Sequence, residues 1–252
     1  MIIQSRLLLI ITFLLVTFVT NAAQSAVEFS AETIESQPGQ GQRNGRLYIG
    51  QDRVRSDIDI NGETIVQIID LGKQEAIVIN AAQKSFIRRR ASEHEIQTQA
   101  SAKDASPCAG MQNLVCKDAG SETINGRKTL KWEITNPSAG KAGIMRFWLD
   151  AEHRFPVRQE MPDGSIMEMR LLERETVNGR DTEKWEMTAH RGDGQSYVSL
   201  QWYDPKIRMN IREQLPGGFA RNLINIKLQP QPVGLFSIPA GFTEITMQQP
   251  AR

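Results

Sequence analysis

From residue 46 onward, apolar and polar side chains alternate in short runs separated by turn residues. Runs 46–49 and 54–60 step with period two, the spacing that places every second side chain on one face of a strand. Asn61-Gly62 follows them, the favoured pair for a two-residue hairpin. The chain then returns through 64–69, turns near Leu71-Gly72, and runs through 76–79 and 85–88. This predicts an antiparallel meander. Residues 91–104 contain neither Gly nor Pro and predict a helix with a thin apolar face, a strap or lid on the sheet. The stretch 104–120, with Pro107 and both cysteines, reads as a loop. Further strands are expected at 130–134, 144–149, 157–161, 165–169, 198–202, 211–215 and 223–228, with a closing tail over 232–242.

The second half of this pattern is written twice. Glu122-Thr123-Ile124-Asn125-Gly126-Arg127 returns as Glu175-Thr176-Val177-Asn178-Gly179-Arg180. Trp132-Glu133-Ile134-Thr135 returns as Trp185-Glu186-Met187-Thr188. One residue further out of step, Trp148, Asp150, Arg154, Arg158, Pro162 and Gly164 reappear as Trp202, Asp204, Arg208, Arg212, Pro216 and Gly218. The unit is about 53 residues long, and what recurs is turn chemistry and alternation. No nucleophile, base or metal ligand recurs, so the repeat points to a scaffold and a surface.

Strands with one apolar face need a cover for that face. With few helices available, the sheet has to curl on itself, and the expected architecture is mainly β, a strongly curved antiparallel sheet or open barrel with a duplicated C-terminal β unit. The expected divisions are a signal peptide over 1–23, a β meander with helix and cysteine loop over 24–120, and tandem β repeats over 121–252. The repeats themselves cover 121–173 and 174–242, completing or extending the sheet.

The N-terminus adds an address. After Arg6, thirteen uncharged residues run from Leu7 to Val19, followed by small residues up to Ala26. That is the plan of a secretory signal peptide, cleaved after Ala22, Ala23 or Ser25, and it is short for a membrane span. The expected product is a soluble, exported, periplasmic protein with no stable membrane span after cleavage. Lys and Arg number 30 against 29 Asp and Glu, a balance that argues against a nucleic-acid partner. Cys108 and Cys116 are the only cysteines, and an oxidising compartment favours a disulfide between them. The C-x-x-C spacing of a redox pair is absent.

Candidate chemistry is sparse. His94, His153 and His190 stand in no triad-like or zinc-like local arrangement, and no nucleophile elbow, P-loop or zinc-protease motif is present. Gly39-Gln40-Gly41 reads as a plain loop, and Arg88-Arg89-Arg90 as a solvated strand end or a weak contact for anionic headgroups. No catalytic residue, metal site or cofactor is expected. Trp132, Trp148, Trp185 and Trp202 form two repeat-related pairs that suit either a greasy cavity or ordinary core packing. Met145, Met161, Met167, Met169 and Met187 cluster near them, and flexible thioethers fit an adaptable apolar pocket.

The order of these segments resembles a known group. A signal-like start precedes RLYIGQDRVRSDIDINGETIVQIIDLGKQEAIVINAAQKSF at 46–86, DAEHRFPVRQEMPDGS at 150–165, and LFSIPAGF at 235–242. This is similar to the periplasmic LolA-like superfamily, which includes lipoprotein carrier and insertion proteins and RseB-like regulators. The resemblance implies a curved antiparallel half-barrel closed by helices round a hydrophobic cavity. It departs from a single carrier domain in having two Asp-to-Arg segments, 150–158 and 204–212, and in its cysteine loop. The expected function is binding of a hydrophobic small molecule, lipid or acyl chain without catalysis. The candidate cavity residues are Trp132, Trp148, Trp185, Trp202, Met167 and Met169. The alternative is a module that recognises an envelope protein, with a filled core and an exposed apolar patch.

Overall fold

The computed structural model describes residues 27–60, 62–92, 108, 114–137 and 143–246. The signal-peptide expectation, Asn61, His94 and nearly all of the expected helix at 91–104 lie outside these residues. Ala91 and Ser92, which are described, are not helical.

Alternation becomes strand throughout. The first half supplies β1 (Phe29–Gln37), β2 (Gly41–Ile49), β3 (Arg53–Ile60), β4 (Glu63–Asp70), β5 (Glu75–Asn80) and β6 (Ser85–Arg90). The repeats supply β7 (Val115–Ile124), β8 (Arg127–Thr135), β9 (Met145–Asp150), β10 (Pro156–Glu160), β11 (Ile166–Val177), β12 (Arg180–His190), β13 (Ser196–Asp204), β14 (Met209–Gln214) and β15 (Ala220–Leu228). A two-residue β16 (Thr243–Glu244) ends the list, and no α-helix occurs among the described residues. Residues 115–120, expected as loop, are the start of β7 (a correction to the sequence reading). They are mostly polar because this strand has a neighbour on one side only.

All sixteen strands join one sheet, in the order β16-β6-β5-β4-β3-β2-β1-β15-β14-β13-β12-β11-β10-β9-β8-β7. The repeats therefore continue the sheet of the first half, through the pairing of β1 with β15. The sheet is antiparallel apart from the short β16–β6 contact, and it is curved and unclosed. β6 and β7 are consecutive in the chain yet lie near opposite ends of the sheet.

Register decides which side chains share a face. Phe29, Ile49, Val54, Ile69 and Ala76 oppose one another in a row across β1 to β5. They belong to a core that also takes in Val177, Trp202, Ile207, Ile211 and Leu223 from the repeats. Phe29 is 1% exposed and Ile211 0%. The sheet is curved, and this core-bearing face is taken as its concave one. On the reverse of β4 to β6, Val66, Ile68, Ile77, Ile79 and Phe86 are covered by Phe236, Ile238 and Phe242 of the tail. Arg55 donates to the Leu235 carbonyl at 2.7 Å and ties that tail down. Gly50 is needed beneath it, because a Cβ there would meet the Phe236 ring at 3.0 Å.

Candidate functional site

Each repeat starts from the same hairpin. Asn125 and Asn178 take positive φ (49° and 51°), and Gly126 and Gly179 follow with 77° and 74°, as a two-residue turn of this type requires. The Asn side chains reach across to the last strand of their own repeat, donating to the Met169 and Leu223 carbonyls. Thr129 and Thr182 close the hairpins with hydroxyl bonds to the carbonyls of Glu122 and Glu175. Behind each hairpin an arginine meets a fully buried aspartate, Arg127 with Asp150 and Arg180 with Asp204. Burial raises the Asp150 pKa, but hydrogen bonds from Arg127 and from the backbone of His153 outweigh it and hold the carboxyl below its ordinary range. These recurring motifs position strands; they bring no reacting groups together.

The four tryptophans fall in two registers of the sheet. Trp132 opposes Phe147, Phe147 opposes Gln159, and the row continues through Met167, Ala189 and Tyr197. One step along the strands, Met169 opposes Met187, and Met187 opposes Ser199. Trp185 sits between Leu171 and Gln201. The last of these rows runs on through Glu213, Arg221, Glu35 and Arg43 to the β1 face that carries Phe29, so all of these residues look into the concave side. Met145 lies there too, opposite Ile134. Met161, just past β10, is exposed.

Trp148 and Trp202 alternate with these positions along β9 and β13 and have charged cross-strand neighbours, yet both are buried in apolar clusters, Trp148 with Val157, Met169 and Trp185 and Trp202 with Ile207, Ile211 and Leu223. Trp148 opposes Lys131 and Arg158, whose cationic groups lie 4.9 and 5.4 Å from its ring centroid. Its Nε1 donates to Glu122 at 2.9 Å. Trp202 repeats the arrangement with Lys184 at 5.5 Å, Arg212 at 4.5 Å and a bond to Glu175. Two cations over each ring hold these two in place.

On the concave face the two remaining tryptophans differ in cover. Trp185 is 1% exposed, packed edge-on against Phe155 at 5.2 Å and capped by the Arg127 guanidinium at 5.1 Å. Trp132 is half-buried, and its Nε1 finds no hydrogen-bond partner among the described residues. Phe147, Met145, Met167 and Met187 around it are also half-buried, while Met169 is buried. The hydroxyl of Ser199, next to Met187, is likewise without a partner among the described residues. The result is an apolar surface over β8 to β12, partly open, with two unused hydrogen-bonding groups in it. In the first half, Leu47, Ile58, Ile65, Val78 and Ile87 give the same face a second half-buried apolar patch. Glu213–Arg221 and Glu35–Arg43 ion pairs separate the two patches.

Two clefts of about 470 and 490 Å³ lie elsewhere, at the hairpin ends of the second repeat. The first has a mostly polar wall (Asn178, Arg180 and Asn225), the second is lined by Glu152, His153, Arg174 and Asp181 among others, and neither includes Trp132, Phe147 or the methionines of the apolar surface. The Asp150, Glu152 and His153 ligand atoms lie within 4.8 Å of one another, but Asp150 is engaged by Arg127 and His153 by Glu183. Cys108 and Cys116 form a disulfide, with Cα atoms 6.0 Å apart, that fixes the preceding chain to the edge strand β7. No helix among the described residues is long and apolar enough to cross a membrane. Arg88 ends its strand in pairs with Glu75 and Glu244. His190 bonds Ser196 on the surface. The contact that sequence reasoning missed is His153 with Glu183; thirty residues separate them, and no local spacing signals it.

No family model matches the chain, and no curated protein matches it. Among solved structures it is similar to a DUF1329 family protein from Desulfovibrio piger, with 13% identity and a TM-score of 0.42 over 85% of this chain and 91% of that one. It is also similar to a LolA superfamily protein from Nitrosomonas europaea, with 11% identity and a TM-score of 0.39 over 83% and 90%. A third is the Pseudomonas aeruginosa MucA/MucB complex, with 8% identity and a TM-score of 0.23 over 81% and 94%.

Proposed function

We propose that the chain is a non-enzymatic exported protein of the periplasm that holds a lipid, an acyl chain or another hydrophobic ligand against the concave face of its sheet. The observation that carries this reading is the half-buried apolar surface of Trp132, Phe147, Met145, Met167 and Met187 on a face otherwise used for the core. Flexible thioethers round one broad indole make a surface that adapts to chains of different shape. Met169 and Trp185 form its floor. Trp148, buried in the same cluster as that floor, and Trp202, buried against Ile211 and Leu223, support it as core residues. A disulfide fits the oxidising compartment. Carriage of such a ligand needs a dry surface and release, and no catalytic group.

A second reading is supported by the openness of this face. An exposed apolar patch rather than an enclosed cavity also suits a protein partner from the cell envelope. Purification from the periplasm without detergent, followed by organic-solvent extraction and mass spectrometry, separates the two. A stoichiometric lipid or acylated species supports the carrier reading. An empty protein transfers the surface to a protein partner.

A further inference from the structure

The two repeats differ at the place where they meet. His153 of the first repeat stands where the second has Ile207, and Glu183 of the second stands where the first has Leu130. These two exchanged positions are in contact. His153 Nε2 lies 2.8 Å from Glu183 Oε2, with side chains only 7% and 5% exposed. The corresponding residue on the far side of the second repeat, Ile207, sits in an ordinary apolar core with Ile211 and Leu223. One of two equivalent seams has therefore been made polar and ionisable, and the other left greasy.

We propose that His153 and Glu183 form a protonation-controlled latch between the repeats, tight when the imidazole is charged and slack when it is neutral. An ionised carboxylate can only accept, so Nε2 carries hydrogen in either state. A second proton goes to Nδ1 and converts a neutral hydrogen bond into a charge-assisted pair, in a site that salt screens little. Imidazole is the side chain suited to such a change near neutrality.

The surroundings keep Glu183 ready. Burial raises its pKa, but Arg174 and His153 outweigh this and hold the carboxyl below its ordinary range. Arg174 donates to Oε1 at 2.9 Å from β11, and Trp185 Nε1 lies 3.3 Å from Oε2 within β12. At the end of β9, Asp150 accepts the His153 backbone N–H at 2.8 Å, and Glu152 of the following turn stands beside it. Arg127 of β8 balances Asp150. From β13, the Tyr203 ring lies 5.2 Å from the imidazole, and Arg208 faces its hydroxyl. With Arg127 taken up by Asp150 and Arg174 mostly in solvent, the proton on His153 is the charge added where Glu183 is driest. The latch abuts Trp185 and Tyr203, which pack in one cluster with Met169, Met167 and Met187, so it sets how firmly the apolar face is held. It does not depend on what, if anything, that face binds.

The test is urea unfolding of the disulfide-intact protein between pH 5.5 and 8.5, for the wild type, Glu183→Gln, and the double variant His153→Ile/Glu183→Leu. The double variant puts at the seam the residues that the equivalent positions already use, so it is built to fold. The wild type is expected to lose folding stability from the acid to the alkaline end, as the charge-assisted bond reverts to a neutral one. Both variants should flatten that slope. In the wild type, the Trp185 indole N–H resonance should move with the titration of the His153 ring, a readout that needs no mutation. Equal slopes in all three proteins, or a Trp185 signal indifferent to His153, would overturn the latch.

Discussion

Trp132 and Trp185 occupy equivalent places in the two repeats, and replacing each by Ala should give very different results. At Trp185 the whole indole is out of water, against Phe155, His153, Tyr203 and the Arg127 guanidinium. Removing a buried Trp leaves a cavity and costs about 3–5 kcal/mol. In a domain of this size that lowers Tm by roughly 2–4 °C per kcal/mol, hence by about 6–20 °C. Trp132 is half-buried and has less to lose on truncation, about 1–2 kcal/mol of transfer free energy. Its Nε1 leaves no partner orphaned among the described residues. Urea unfolding followed by circular dichroism, with m unchanged, measures both differences. The expected result is a Trp185→Ala loss at least twice that of Trp132→Ala, with hydrophobic-probe binding falling chiefly in the Trp132 variant. Equal stability losses would refute the division of the concave face into a sealed floor and an open surface.

Three other outcomes follow from the same contacts. Arg180→Ala strands the buried Asp204 carboxylate without its cation and should cost about 3–5 kcal/mol in urea unfolding, far more than an exposed arginine on the charged face. Asp150 and Glu183 both have depressed pKa values, so their stabilisation is complete above the ordinary carboxylate range and is lost as pH falls below it. Asp150→Asn should therefore give a less stable protein at neutral pH with a shallower acid limb in a pH series. Reducing Cys108–Cys116 releases a short loop and should cost about 2–3 kcal/mol in the chain-entropy account, read as a lower urea midpoint in dithiothreitol.

Most strands were legible because a half-buried antiparallel strand writes its face into the sequence with period two. Residues 54–60, 64–69 and 198–202 all fall within strands, at β3, β4 and β13. β7 was not legible: Lys117, Asp118, Gly120, Ser121, Glu122 and Thr123 carry no apolar stripe, and its place depends on backbone pairing with β8 and the Thr129 bond to Glu122. The faces of the tryptophans were only half legible. Trp132 and Trp185 each lie between charged residues, so alternation alone places them inward. Trp148 lies between Phe147 and Leu149, and parity cannot choose a side for it. Register shifts beside it, between Pro156 and Arg158, and beside Trp202 break the count further. The His153–Glu183 seam depends on how one repeat stacks beside the next, which no single strand pattern contains.

The central claim, that the open concave face takes a hydrophobic ligand, is tested most directly by titrating the delipidated protein with a fluorescent fatty-acid probe. The account predicts saturable binding near one equivalent, weakened at least fivefold by Trp132→Ala and little changed by Trp148→Phe. Absence of saturable uptake, or uptake indifferent to Trp132, would contradict it.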